Sequence, residues 1–96
     1  MTTAEEKTKY LLNLRDARDS RDFGRYLTLA GGLFGLLPEL GYEYVEQSSP
    51  HWVADPWLQA YAEELEKGNA AFSAANSYGL LGAIEELVRL HYQPLT

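Results

Sequence analysis

The chain has 96 residues, 46% of them hydrophobic, with eight Lys/Arg against 14 Asp/Glu, a net charge of −6 and a pI near 4.7. That is the size and composition of one globular domain, 1–96; the acidity argues against direct binding of nucleic acid through its phosphates. Cysteine is absent, which excludes disulfides, thiolate metal sites and a cysteine nucleophile.

The opening MTTAEEKTKY lacks the apolar core of a secretion signal, so a cytoplasmic location is expected. Thr3 and Glu6 have the spacing of a capping box, and a helix is expected from about Ala4 to Asp19 with Leu11, Leu14 and Ala17 inward. The following RDARDSRD places Arg15 four residues before Asp19 and Arg18 four before Asp22. These read as weak surface ion pairs. An anion or partner contact through Arg15, Arg18 and Arg25 is the alternative.

Ser20 or Asp22 can cap a second helix. Phe23, Leu27, Ala30, Phe34 and Leu37 recur at helical spacing, and Leu29, Leu33 and Leu36 widen the stripe. The apolar stretch is about a dozen residues, where a membrane pass needs roughly 20; no membrane association is expected. Gly24, Gly31 and Gly35 form a small-residue strip with Thr28. Each glycine costs about 1 kcal/mol of helix propensity. The strip is therefore expected to pack closely, either in this chain or as the seam of a homodimer through the Gly31/Gly35 helix.

Pro38 and Gly41 end that helix. Tyr42 to Glu46 alternates partly like a strand. No pairing partner is evident, so the expectation is a short helical turn or an extended connector. Gln47 to Val53 reads as a loop. Asp55-Pro56 starts a helix whose apolar side is Trp57, Leu58, Tyr61, Ala62 and Leu65. Glu63, Glu64, Glu66 and Lys67 fall outside, and Gly68-Asn69 is the expected stop. Ala70 to Ala75 is helix-prone, and whether it joins the next helix stays open. The final stretch, Tyr78 to Tyr92, carries Leu80, Ile84, Leu87 and His91 at spacings of four, three and four, with Leu81 and Val88 beside them. This stripe is expected to face the core. The sum is an all-α, compact bundle of about four helices.

Catalytic constellations are missing. His51 and Asp55 are separated by loop spacing, HExxH is absent, and the AGGLFG glycines follow no strand. His91 reads as a hydrogen-bonded core or boundary residue. No enzyme activity, cofactor or metal is expected.

Charge is uneven. Residues 1–35 carry six Lys/Arg against five acids, residues 36–76 carry Lys67 against seven acids, and residues 77–96 carry Arg89 against two. Tyr42, Tyr44, His51, Trp52 and Trp57 crowd the acidic middle. Tyr and Trp anchor interfaces because they offer area with few rotamers to freeze. The expected function is a small acidic protein-binding protein, an inhibitor of the antitoxin, immunity or anti-CRISPR kind, occupying a basic site on a partner protein. The expected contacts are Tyr42, Glu43, Tyr44, Glu46, Trp52, Glu63, Glu64 and Glu66. A DNA-mimic inhibitor and a small-molecule-binding regulatory subunit are the alternatives.

Overall fold

In the computed structural model, which describes residues 2–48, 51–76 and 79–95 with His51 described by its backbone alone, four helices carry most of the chain. They are α1 (Thr3–Asp19), α2 (Phe23–Leu36), α3 (Pro56–Ala71) and α4 (Leu80–His91). Short 3-10 turns occupy Leu37–Leu40 and His51–Ala54, and two strands, β1 (Tyr42–Tyr44) and β2 (Tyr92–Pro94), form an antiparallel ribbon. The all-α bundle is thus present, with one small addition.

Capping explains the boundaries. Thr2, not Thr3, caps α1, its hydroxyl accepting from the Glu5 amide at 3.2 Å; the Thr-x-x-Glu pattern is shifted by one residue. Asp22 caps α2 through the Arg25 amide, and Asp55 caps α3 through the Trp57 and Leu58 amides. At the end of α1 the Asp22 and Arg21 amides reach back to the Ala17 and Arg18 carbonyls. Arg21 thereby takes a left-handed φ of 59°, at the position where glycine is usual.

The core is organised on α3, which packs against α1 and α4. Leu58, Tyr61, Ala62 and Leu65 are wholly buried, with Leu14, Ala17, Tyr26, Ala30, Leu37, Leu81 and Val88 around them. Two tyrosines bridge α2 and α3 in opposite directions. Tyr26 donates to the Glu64 carbonyl at 2.8 Å and lies 3.0 Å from its carboxylate, while Tyr61 donates to the Ala30 carbonyl at 3.0 Å. The buried face of α2 is therefore Tyr26–Ala30–Leu33–Leu37, rotated from the expected one. Phe23, Leu27 and Phe34 form its half-buried flank.

Several expectations are corrected here. Gly31 and Gly35 face solvent, and a Cβ on either would meet nothing within 4 Å; among the described residues the two glycines pack against no helix of this chain. Gly68 does not end α3. The helix runs on to Ala71, and the Tyr26 ring lies directly on Gly68. Ala70 and Ala71 belong to α3, and Phe72–Ala75 turn before α4, so the Ala70–Ala75 segment does not join the last helix. Of the α4 stripe expected to face the core, Leu81 and Val88 are buried, but Leu80 and Leu87 are 49% and 37% exposed. The expected helix start at Tyr78 lies outside the described residues.

Tyr42–Tyr44 is a strand after all. Its partner is the Tyr92-Gln93-Pro94 segment directly after α4, in the register Tyr42↔Pro94, Glu43↔Gln93 and Tyr44↔Tyr92. The ladder continues through Val45 N–H to the His91 carbonyl and Leu95 N–H to the Gly41 carbonyl. Pro94 fits because antiparallel pairs alternate between bonded and non-bonded positions, and it occupies a non-bonded one.

Candidate partner-binding surface

The ribbon decides which expected contacts reach the surface. Successive strand residues point to opposite faces, so Tyr42 and Tyr44 share one face and Glu43 takes the other. Tyr42 is buried. Its hydroxyl donates to Asp55 at 2.9 Å and its ring stacks on Trp57 with centroids 5.5 Å apart. Burial raises its phenol pKa above the ordinary value, and the hydrogen bond and charge of Asp55 add to that. Lys7 Nζ caps this stack, 4.6 Å from the Tyr42 ring and 5.5 Å from Trp57. Tyr42 fastens β1 to the start of α3 and offers nothing to a partner.

Tyr44 projects beyond the core and is 53% exposed. Its ring stacks on the His91 imidazole at 5.3 Å and 19°, and meets Tyr92 edge-on at 5.8 Å. Tyr92 in turn meets Phe34 at 5.3 Å, nearly perpendicular. His91 Nδ1 lies 2.9 Å from the Val45 carbonyl. A carbonyl only accepts, so Nδ1 carries the proton, and this bond holds the imidazole as a platform for Tyr44. Glu46 is exposed nearby in sequence, while Glu43 accepts from the Gln93 amide at 2.7 Å on the opposite face.

Trp52 and Glu66 meet elsewhere, through Arg89. The Arg89 guanidinium lies 4.3 Å from the Trp52 ring centroid, and it donates to Glu85 at 2.9 Å and Glu66 at 3.1 Å. Trp52 is half-buried and packed on the core; it sits in a 3-10 turn, where a loop was expected. Arg89 and His91 are two residues apart on α4, so they point to different sides of the helix. The expected contacts therefore divide into a Tyr44 patch and a Trp52 patch.

Glu64 belongs to neither patch. It is 3% exposed, takes the Tyr26 hydroxyl, and lies 3.7 Å from Arg15 Nε and 3.5 Å from Arg18 Nη2. Removing either kind of partner would strand a buried charge. The expected i,i+4 pairs of Arg15 and Arg18 do not form among the described residues. Those two arginines turn inward to Glu64, and Arg25 pairs with Asp16 at 2.8 Å. Glu63 and Glu66 remain exposed.

Concavities are shallow. One groove runs along the outer side of α1 past Thr8 and Leu12, and a polar recess lies between Arg18, Arg21 and Ala71. Among the described residues no three His, Asp or Glu side chains gather as a metal would need, and no helix is long and apolar enough to cross a membrane. Compared with protein-family models, curated proteins and solved structures, the chain matches none.

The residues that sequence reasoning missed are His91 as the base of an aromatic stack, Arg89 as the clamp on Trp52, and Leu80 and Leu87 as surface. For the first two the sequence signals the helix end but not the contact. The charged Arg89 and the aromatic Tyr92 bracket a helix end with Pro94 just beyond, which marks a chain about to leave the helix.

Proposed function

We propose that this chain is a small, non-catalytic protein-binding protein whose acidic, aromatic surface occupies a basic site on a partner, in the manner of an inhibitor, antitoxin or immunity protein. The observation that carries this reading is Tyr44, a half-exposed ring held between His91 and Tyr92. A rigid exposed aromatic loses little entropy when it is covered, which is what a binding anchor requires. Glu46 and the net charge of −6 favour a partner of opposite sign and speed its approach.

The experiment is affinity capture from host lysate with the wild type beside Tyr44→Ala. A protein retained by the wild type and lost by a Tyr44→Ala variant of unchanged melting temperature supports the reading. Retention by both variants alike removes Tyr44 from the interface and the reading with it. A capture that collapses between low and moderate salt, and that a duplex of DNA displaces, would instead identify a nucleic-acid-binding partner and the mimic alternative.

A further inference from the structure

Three aromatic rings of this fold already carry a cation. The Arg89 guanidinium lies 4.3 Å from the Trp52 centroid, and Lys7 Nζ lies 4.6 Å from that of Tyr42 and 5.5 Å from that of Trp57. Tyr44 carries none among the described residues, although it is 53% exposed. One face of its ring rests on the His91 imidazole, and Tyr92 meets it edge-on. Among the described residues no ring covers the opposite face. The face of a phenol is the negative pole of its quadrupole, so an open face in acidic surroundings is a place for a cation. The surroundings are acidic. Glu46, two residues on, is exposed and makes no ion pair among the described residues, and residues 36–76 hold seven acids against Lys67 alone.

From this geometry we propose that the free face of Tyr44 takes an arginine side chain of the partner protein, its guanidinium stacked flat on the phenol. This deepens the reading given above and rests on it. The chain itself separates arginine from lysine. Over the half-buried Trp52 the cation is a guanidinium, whereas Lys7 lies over the buried Tyr42. A guanidinium is planar and weakly hydrated, so it covers a wet ring at little cost; an ammonium is a compact charge that holds its water. Tyr44 is ready to be covered. The His91 platform is fixed by its bond to the Val45 carbonyl, and Tyr92 braces the ring from the side. Glu46 draws the cation in without having to clamp it. A second copy of this chain is a poorer donor, because four of its five arginines already face carboxylates of their own chain.

The test titrates the capped tripeptide Gly-Arg-Gly into the full chain, followed by nuclear magnetic resonance, with Gly-Lys-Gly and Gly-citrulline-Gly as twins. The arginine probe should shift the ring protons of Tyr44 and His91. It should bind about threefold or more tighter than the uncharged citrulline twin, with lysine between them. Tyr44→Phe should keep the preference, because the ring face persists. Tyr44→Leu should abolish it at unchanged melting temperature, because an apolar side chain has no quadrupole. If Tyr44→Leu disturbs the ribbon, the comparison with citrulline on the wild type decides alone. Equal or reversed binding of the three probes, shifts confined to the Trp52–Arg89 patch, or no binding would each overturn the inference. So would an arginine preference retained by a folded Tyr44→Leu. The Tyr44→Ala capture reports on the partner-binding reading itself. A partner lost by Tyr44→Ala but held by Tyr44→Leu would sustain that reading and remove the arginine, so the two failures are distinguishable.

Discussion

The ring of Tyr26 lies so close on Gly68 that a Cβ at that glycine would overlap the phenol. The hydroxyl beyond it donates to the Glu64 carbonyl one turn earlier in α3. Glycine in mid-helix weakens α3 by about 1 kcal/mol relative to alanine, and the position is explained by what rests on it. Without that gap the tyrosine could not reach Glu64, and a buried carboxylate would lose its hydroxyl partner.

Gly68→Ala should therefore destabilise the fold by about 1–3 kcal/mol, because overpacking exceeds the gain in propensity. Gly31→Ala should do the opposite and stabilise by roughly 0.5–1 kcal/mol, since its Cβ meets open space on an exposed helical turn. Urea unfolding of both variants checks the pair. A stabilising Gly68→Ala would mean that Tyr26 does not sit there.

Burial raises the phenol pKa values of Tyr26 and Tyr61 far above the ordinary value of 10.0, with the Glu64 charge adding to the first and Tyr92 to the second; Tyr42 shifts the same way. Below pH about 10 these phenols are protonated in both folded and unfolded chains and stability does not depend on them. As pH rises further, the unfolded chain ionises where the folded one resists. Each such group then removes up to about 1.4 kcal/mol per pH unit. The urea midpoint should fall steeply above pH about 10, and Tyr61→Phe should flatten that fall. A midpoint unchanged to pH 11 would place the tyrosines in water.

Much of the architecture was legible in the residues. Asp22 and Asp55-Pro56 announced their helices because a capping side chain acts within three positions, and Leu11, Leu14 and Ala17 were inward as their spacing requires. What failed was long-range or rotational. The partner of β1 lies about 50 positions away, directly after α4, and a three-residue strand leaves no periodic trace there. Glu64 looked like its neighbours Glu63 and Glu66, because nothing local tells that Tyr26, Arg15 and Arg18 converge on it. In α4 both Leu81–Val88 and Leu80–Leu87 fit a helical stripe, and which one faces inward is decided by the packing of α3, not by the helix itself. The candidate site was half legible for the same reason: aromatic content marked the region, but burial divided Tyr42 from Tyr44.

Arg21 holds a left-handed conformation to close the end of α1. Residues with a Cβ pay roughly 1–2 kcal/mol there, so Arg21→Gly should raise the thermal midpoint by an amount equivalent to about 1 kcal/mol. Calorimetry of that variant decides the matter. A lower midpoint would show that the arginine side chain makes contacts worth more than the strain.

Trp52 and Tyr44 should fail in different ways, and the difference locates the interface. Trp52 is half-buried under the Arg89 guanidinium, so Trp52→Ala should lower stability by about 2–3 kcal/mol through lost packing and a loosened Arg89. Tyr44 rests on the fold without supporting it, and Tyr44→Ala should cost under about 1 kcal/mol. On a partner the order reverses. A covered aromatic anchor acts mainly on residence time, so Tyr44→Ala should speed dissociation by about thirtyfold, equivalent to roughly 2 kcal/mol, and leave association nearly unchanged. Glu46→Lys should slow association and flatten its salt dependence while leaving dissociation close to wild type, because exposed rim charges steer more than they hold. Surface plasmon resonance at two salt concentrations, with melting temperatures alongside, reads all four quantities. Fast dissociation from Trp52→Ala at an unchanged melting temperature, beside a silent Tyr44→Ala, would move the interface from the β1–α4 edge to the Trp52–Arg89 patch.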